Sequence, residues 1–360
     1  MTTTTTTTSP SPSPSIPIPP TTRAILHNPQ TATLSPLTIP TPTPNLSADQ
    51  HLLRVHTTAP CAGELSWHTA GFSKPSSAHI PGQDVAGTIV RAPPSSPFQP
   101  PDAVYARIPW SRAGALQEYT IVLGAEMARI PRGAGFGFER AATVPMSALT
   151  AWQMVFDRGG IDDVEQDEEG RIRRGTEKEK AVAVTAASGN VGMWCVQMAK
   201  RAGFGRIVGM YGGGAPGGEI EALLRELGAT DVVDYKRSSL AEWVGREGGG
   251  RKVDLVLDCF GKGALADAWS AVRDGGRVVS VCEPPEARRP ADCGAKDVES
   301  CFFVMDAARG RDLARVTEWL ERGECRAFLD SVYEFDDYKA AFERVEGRHT
   351  RGKVVIKVAE

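Results

Sequence analysis

The sequence lacks closely paired cysteines. Its seven cysteines are spread from Cys61 to Cys325, and no two of them form a CxxC motif. An odd number of widely spaced cysteines argues against a disulfide framework and indicates free thiols in a reducing compartment. A structural zinc site built from four clustered cysteines is not expected either, since residues 62–194 contain no cysteine.

The chain also lacks long hydrophobic runs and an excess of positive charge. Of its 360 residues 41% are hydrophobic, but their runs are too short to cross a bilayer, so no membrane partner is expected. The 41 basic and 44 acidic residues give a formal net charge of −3. Nucleic acid is not expected as a partner, because phosphate binding needs a basic excess or patch. The length fits about two domains.

The start of the chain lacks charge. Arg23 is the only formally charged side chain before Asp49, and residues 1–22 are almost wholly Thr, Ser, Pro and Ile. We expect a disordered tail over 1–22, because such a segment buries too little apolar surface to offset its ordering entropy. It has neither the basic start and apolar run of a secretory signal nor the arginines of a mitochondrial one. The sequence therefore predicts a cytoplasmic protein.

The pattern of apolar residues along the chain changes near residue 145. Over 23–145, short apolar runs separated by Gly and Pro are typical of a mostly β module. Over 146–306, apolar β-rich runs alternate with helical stretches, which predicts an α/β fold with a doubly wound parallel sheet. Residues 159–180 are a highly charged interruption, expected to form a solvated loop before the first strand of that sheet.

The most informative stretch lies where the first predicted parallel strand turns into a helix. It reads Ala181-Val-Ala-Val-Thr-Ala-Ala-Ser-Gly-Asn-Val-Gly192 and has small residues at the three positions of a dinucleotide fingerprint. Small residues there allow a tight turn, close approach of a pyrophosphate and close helix–strand packing. The helix N-terminus adds free N–H groups and a positive dipole end. The predicted cofactor contacts are Ala187, Ser188, Gly189, Asn190, Val191 and Gly192.

The end of the second parallel strand bears on the choice between NAD and NADP. An NAD site usually places Asp or Glu there to bind the ribose 2′-OH, whereas this chain reads Met210-Tyr-Gly-Gly-Gly-Ala-Pro-Gly-Gly218. Without an acid, a 2′-phosphate is not repelled. Tyr235, Lys236 and Arg237 after the third strand are candidates for a clamp on that phosphate, or else form a solvated strand end. The sequence favours NADPH, with Tyr211 as a further contact.

Five motifs in order resemble those of a known superfamily. They are Pro81-Gly-Gln-Asp-Val-Ala-Gly87, Gly114-Ala-Leu-Gln-Glu-Tyr119, Ala141-Ala-Thr-Val-Pro-Met-Ser-Ala-Leu-Thr-Ala-Trp152, the fingerprint continued to Trp194 and Gln197, and Arg351-Gly-Lys-Val-Val355. By these the chain resembles the medium-chain dehydrogenase/reductase superfamily. Within it, the chain looks like the zinc-independent, quinone-oxidoreductase-like branch, which includes zeta-crystallin and fungal NADPH-dependent enoyl reductases.

The resemblance implies an architecture and a reaction. It implies a GroES-like substrate domain at 23–145, completed by 307–360, and a Rossmann cofactor domain at 146–306, with the active site in the cleft between them. The reaction would be hydride transfer from NADPH to a small α,β-unsaturated carbonyl compound or quinone, in detoxification or in enoyl reduction of a fungal-type pathway. Alcohol dehydrogenation and non-catalytic nucleotide binding remain alternatives. A homodimer is expected from relatives alone.

The resemblance also implies site residues, although no catalytic proton donor is identified. Thr150 would contact the cofactor near its nicotinamide end, and Tyr235 would lie near the 2′-phosphate. Lys353 is a candidate phosphate contact. The residues expected to flank the cofactor are Phe260, Gly261, Phe302 and Phe303.

The metal ligands of the superfamily's alcohol dehydrogenases are not matched. Cys61-Ala-Gly-Glu64 partly matches the first Cys ligand and its neighbouring acid, but the expected Gly-His-Glu reads Gly82-Gln83-Asp84. A glutamine cannot replace an imidazole as a strong zinc ligand, so no metal is expected. In the same region Trp67 stands where the family has a tyrosine. Glu64 and Trp67 are therefore candidates for the substrate pocket, although Trp67 could equally be a core or interface residue.

Overall fold

The structure, a computed structural model, describes residues 17–69, 78–133, 135–162, 177–213, 218–246 and 250–359. Most of the predicted tail and most of the charged insertion lie outside these residues. The first strand begins at Thr21, two residues inside the predicted tail, because Thr21 pairs with Pro40 in an antiparallel hairpin. The boundary of the tail at residue 22 is therefore wrong by two residues.

The described residues form strands and helices in an order that changes character midway. The strands are β1 (Thr21–Asn28), β2 (Thr33–Pro40), β3 (Gln50–Ala59), β4 (Asp84–Arg91), β5 (Ala103–Arg107), β6 (Tyr119–Leu123), β7 (Met127–Arg129), β8 (Ala181–Val184), β9 (Arg206–Tyr211), β10 (Asp231–Asp234), β11 (Val253–Asp258), β12 (Val272–Ser280), β13 (Glu299–Phe302), β14 (Leu329–Tyr333) and β15 (Lys353–Lys357). The helices are α1 (Phe138–Ala141), α2 (Pro145–Trp152), α3 (Asn190–Arg201), α4 (Glu219–Leu227), α5 (Leu240–Gly245), α6 (Lys262–Ala271), α7 (Gly310–Glu321) and α8 (Tyr338–Glu346).

The second half of the chain forms a six-stranded parallel sheet in the order β10-β9-β8-β11-β12-β13. Its strands are apolar on both faces because both faces are covered. Val182 and Val184 of β8 pack in the hydrophobic cluster that includes α3, whereas Ala181 and Ala183 pack in the cluster with α5 and α6. The predicted α/β fold class with a doubly wound sheet is confirmed.

The strand order predicts a binding crevice at the carboxyl ends of the two central strands of this sheet. From β8 the chain runs outward through β9 and β10, and then from β11 outward the other way through β12 and β13. The order therefore reverses between β8 and β11. In open α/β sheets, ligands bind at the carboxyl ends of the strands beside such a reversal.

The seven-stranded sheet combines strands from both ends of the chain. Its order is β14-β15-β3-β4-β5-β7, and β6 pairs with β3. Strand β15 pairs antiparallel with β3, where Ile356 lies opposite Thr58, and parallel with β14. The C-terminal strands thus join a sheet made otherwise by the N-terminal half. The exact domain boundaries and the homodimer stay predictions.

Helices α2 and α7 pack between the two sheets. The rings of Trp152 and Trp319 stack with their centroids 5.0 Å apart and an interplanar angle of 20°. The hydroxyl of Tyr105 on β5 lies 2.8 Å from Thr317 Oγ1 on α7. The stacked tryptophans join α2 to α7, and Met146 in the first turn of α2 donates its N–H to Asp84 Oδ1 at the start of β4 at 2.8 Å. No helix in the described ranges is long and apolar enough to cross a membrane.

Candidate active site

The turn between β8 and α3 has the shape that its small residues predict. Helix α3 follows Gly189, which has an extended backbone, and no side chain among the described residues caps the helix start. A Cβ atom on Gly192 would collide with the carbonyl of Ala186 and lie 2.7 Å from the Cα of Ala187, so glycine is required there. Ala186 itself has a φ of 46°, a left-handed conformation that costs a residue with a side chain energy. The helix start is thus open to an anion.

The predicted 2′-phosphate region comes together at the end of β9. A Cβ atom on Gly212 would collide with the ring and hydroxyl of Tyr235, and one on Gly213 would collide with the ammonium of Lys236. Two glycines therefore make room for a tyrosine and a lysine from the next strand. The oxygen Oδ1 of Asp234 accepts the N–H of Lys236 at 3.0 Å, which fixes this turn.

Two neighbouring side chains complete the description of that turn. The carbonyl of Tyr211 accepts the N–H of Tyr235 at 3.0 Å. Burial and the nearby carboxylates of Asp234 and Glu221 raise the pKa of the Tyr211 phenol, which stays protonated at neutral pH. Arg237 lies 3.7 Å from Asp234, so its charge is partly offset. Residues 214–217 of the loop lie outside the described residues.

An exposed aromatic pair lies at the carboxyl ends of the strands of the same sheet. Tyr235 follows β10 and Phe260 follows β11, and each keeps about half of its surface exposed, at 50% and 51%. Their ring centroids are 6.3 Å apart at an angle of 35°. Large aromatic surface left open at the carboxyl ends of parallel strands provides an apolar wall for a flat ligand.

A residue that the sequence reasoning missed, Asp258, organises the loops around this crevice. The carboxylate is fully buried at the end of β11. It accepts hydrogen bonds at 2.7 Å from the hydroxyls of Thr185, after β8, and Ser280, at the end of β12. It also accepts the N–H groups of Phe260 at 3.3 Å and of Gly261 at 3.0 Å. An acid directly after an apolar strand was the signal that could have identified it.

The remaining predicted cofactor contacts fall in different environments. Thr150 is buried on α2, a helix that packs against α3. Phe302 ends β13 opposite Ser280 and is half-buried. Phe303 is buried, with the guanidinium carbon of Arg158 5.5 Å from its ring centroid. The structure therefore places Phe303 in the core rather than on an open wall of the crevice.

Lys353 lies in a buried cluster of charge, not on a surface open to phosphate. Its ammonium is 2.8 Å from Asp84 Oδ2, 2.9 Å from Cys61 Sγ and 3.4 Å from the carbonyl oxygen of Pro60. Burial lowers the pKa of Lys353, but the carboxylate of Asp84 and the sulfur of Cys61 together outweigh this, and the net shift of the pKa is upward. The predicted phosphate contact is therefore not supported at this residue.

The predicted substrate residues lie beside this cluster. The carboxylate of Glu64 is buried and accepts the N–H groups of Cys61 at 2.9 Å and of Gly82 at 2.7 Å. Burial raises the pKa of Glu64, even though these two hydrogen bonds lower it. Trp67 is half-buried and packs over Gly63. The assignment of Glu64 and Trp67 to a substrate pocket stays a prediction.

Replacement of Asp258 by alanine is expected to weaken dinucleotide binding about tenfold or more, because several buried donors lose their common acceptor. The loops after β8, β11 and β12 would then no longer be fixed together. Fluorescence titration with a reduced nicotinamide dinucleotide measures the effect. Asp292→Ala, which alters an exposed aspartate, is the matched control. Equal affinities for the two variants would contradict the role given to Asp258.

Comparisons with known proteins agree with this geometry. The family model described as "Zinc-binding dehydrogenase" matches residues 227–356. A protein of Arthroderma benhamiae named "Probable zinc-binding oxidoreductase, mitochondrial" is 50% identical over 341 residues, which cover 94% of this chain and 98% of that protein. The zebrafish (Danio rerio) "NAD(P)H oxidoreductase RTN4IP1, mitochondrial" is 29% identical, over 78% of this chain and 72% of that one.

A solved structure shows the same fold. The quinone oxidoreductase of Thermus thermophilus, whose structures include a complex with NADPH, superposes with a TM-score of 0.69. The match covers 93% of this chain and 99% of that chain, at 24% sequence identity.

The family description and the name of the Arthroderma protein both contain the word zinc-binding, but the residues of this chain do not fit a zinc ion. Among the described residues, no group of three or more His, Cys, Asp and Glu side chains is placed to hold a metal. At the position that partly matches a ligand set, Cys61 and Asp84 face the ammonium of Lys353. Gln83 supplies an amide where zinc would take an imidazole.

The comparisons overturn the predicted location. Both relatives are named mitochondrial, so the prediction of a cytoplasmic protein is wrong. The prediction relied on the lack of arginines in the first residues, although these residues share two other features with import signals. They are rich in hydroxyl side chains and have no acidic residue before Asp49.

The match to the Arthroderma protein extends over nearly the whole chain, and the structure shares the fold of the solved quinone oxidoreductase. The chain belongs to the medium-chain dehydrogenase/reductase superfamily, as an NAD(P)H-type oxidoreductase of its quinone-oxidoreductase-like branch.

Proposed function

We propose that this protein uses NADPH to reduce quinones or α,β-unsaturated carbonyl compounds. The preference for NADPH over NADH rests on the residues at the end of β9. Two glycines stand there in place of an acid, and the hydroxyl of Tyr235 and the ammonium of Lys236 lie over them. A hydroxyl and a cation at this position suit a phosphate, whereas a carboxylate would suit a free ribose hydroxyl.

Each part of the crevice would have a defined task in holding the cofactor. The open start of α3 would bind the pyrophosphate through N–H groups and the helix dipole. The exposed rings of Tyr235 and Phe260 would contact the adenine end. The segment after β12, which Asp258 holds through Ser280, would lie toward the nicotinamide end, where the resemblance also places Thr150. NADPH, when bound, supplies the hydride.

The substrate side needs little acid–base machinery for this reaction. Negative charge develops on the carbonyl oxygen of the acceptor, and backbone N–H groups or a hydroxyl suffice to stabilise it. Solvent can provide the proton. The half-buried ring of Trp67 would supply apolar surface to a flat acceptor without offering a phenolic proton.

Two other functions remain distinguishable from this proposal. Zinc-dependent alcohol oxidation requires metal ligands that Gln83 and the Lys353–Asp84 pair do not provide. A protein that binds nucleotide without catalysis would show affinity and no turnover. Enoyl reduction in a biosynthetic pathway is the same chemistry on a narrower substrate, and a substrate panel separates it from general quinone or enone reduction.

Purified protein is expected to consume NADPH in the presence of quinones or enones and to prefer it over NADH. Lys236→Glu is expected to raise the KM for NADPH about tenfold and to change that for NADH by less than about twofold, because only NADPH carries the 2′-phosphate. The loss of reduced nicotinamide absorbance measures both cofactors.

The matched control for this experiment is Lys339→Glu, which makes the same charge change at an exposed position on α8. It should leave both KM values unchanged. Equal responses to NADPH and NADH in the Lys236 variant would remove the support for NADPH. Tight NADPH binding without turnover on any quinone, enone or enoyl thioester would favour the non-catalytic alternative.

Trp67→Ala is expected to alter the ranking of quinone and enone substrates by about tenfold in kcat/KM and to leave NADPH affinity within about twofold. The reason is that the indole would contact the acceptor and not the cofactor. Steady-state kinetics on a panel of acceptors of different size measures the first effect, and NADPH titration the second. A parallel fall in both quantities would indicate that Trp67 is a core residue.

We also propose a mitochondrial destination, which the two relatives' names and the acid-free, hydroxyl-rich start of the chain support. The full chain with a C-terminal fluorescent tag should co-fractionate with mitochondria in a eukaryotic cell. A version that lacks residues 1–16 should remain in the cytosol. The same distribution for both forms would show that these residues carry no import information.

A further inference from the structure

The buried charge cluster near the crevice consists of Cys61, Glu64, Asp84, Arg107 and Lys353. All five residues are buried. The Lys353 ammonium contacts Asp84 and Cys61, and favourable electrostatic interactions connect Glu64 with both Arg107 and Lys353. Buried charges are normally paired, and here two carboxylates are matched by two cationic side chains.

The ammonium of Lys353 occupies the space that a metal would need in this cluster. It lies 2.9 Å from Cys61 Sγ and 2.8 Å from Asp84 Oδ2, between the two side chains best able to act as ligands. The sulfur of Cys61 also lies 2.9 Å from Met146 Sδ. A metal ion at this point would have to displace a buried cation that already forms an ion pair with the Asp84 carboxylate.

The same lysine connects the cluster to the cofactor crevice. Lys353 begins β15, and the residue before it, Gly352, has a carbonyl that accepts a hydrogen bond from the Asn190 side chain at 2.9 Å. Asn190 is the first residue of α3, whose start would bind the pyrophosphate. On the other side, Asp84 Oδ1 accepts the N–H of Met146 in the first turn of α2 at 2.8 Å. The pair thus anchors two walls of the crevice.

We propose that Lys353 is the resident cation of this protein: its ammonium takes the place of a zinc ion, and its pairing with Asp84 positions β15 and Gly352 against the start of α3. Lys353 is a positioning residue, since it contacts neither the proposed cofactor site nor the substrate directly. The role in NADPH binding rests on the proposed function, whereas the exclusion of zinc does not.

Metal content provides the first test. The purified wild-type protein, with and without prior dialysis against zinc, is expected to hold far less than one zinc per chain by elemental mass spectrometry. One zinc per chain, removed by a chelator with a fall in Tm, would overturn the proposal. This measurement requires no turnover, so it decides the exclusion of zinc even if the proposed reaction fails.

Two variants test the positioning role. Lys353→Met leaves the Asp84 carboxylate buried without its cation and is expected to lower Tm by about 5–10 °C. The double variant Lys353→Met with Asp84→Asn removes both charges and keeps an acceptor for Met146, so it should recover most of that loss. The Kd for NADPH should stay raised about fivefold in the double variant, because β15 is no longer fixed by an ion pair.

The matched control is Lys357→Met, on the same strand, where the lysine is 43% exposed and its nearest carboxylate oxygens are 3.8 Å and 3.9 Å away. It should leave Tm and NADPH affinity unchanged. A double variant that regains both Tm and NADPH affinity would show a purely structural pair and overturn the positioning role. If Lys353→Met does not fold, the double variant still tests the positioning role and the zinc content of the wild-type protein still tests the exclusion of zinc.

Discussion

The buried carboxylate of Asp84 is the point on which both halves of the chain converge. At the start of β4, it pairs with Lys353 at the start of β15 and accepts the N–H of Met146 at the start of α2. Its backbone carbonyl accepts the hydroxyl of Thr58 on β3 at 2.7 Å. Because these partners are shielded from water, loss of one leaves a buried charge without compensation. This side chain thus joins β4 and β15 of the seven-stranded sheet to α2, which packs against α3.

A second buried carboxylate, Asp258, has a different kind of partner. It accepts hydrogen bonds from uncharged hydroxyl and backbone N–H groups at the carboxyl ends of the neighbouring strands β8, β11 and β12. A buried carboxylate with several short-range donors holds the chain segments that supply those donors close together. Asp84 therefore joins β15 to α2, and Asp258 joins the ends of β8, β11 and β12, at the same end of the sheet as the exposed rings of Tyr235 and Phe260.

Local patterns predicted much of the fold and part of the site. The alternation of apolar runs and helices identified the parallel sheet, since a strand covered on both faces must be apolar throughout. The small residues from Ala187 to Gly192 predicted the turn before α3, because only they fit its close contacts. The errors arose where composition stood alone: the tail was extended past Thr21, and the lack of arginine was taken to indicate the cytoplasm.

The sequence by itself determined the order of strands and helices, the fingerprint turn and the absence of an acid after β9, since each depends on neighbouring residues. Only the tertiary structure decided that Lys353 pairs with Asp84, that Asp258 joins three loops and that Tyr235 lies beside Phe260. Such contacts join residues far apart in the chain, and no local spacing encodes them. The physical reason is that a charged side chain needs a partner once it is buried, and which partner lies near it depends on how the sheets pack. For this reason Lys353, a candidate phosphate contact by sequence, lies in the structure as a buried cation beside Asp84.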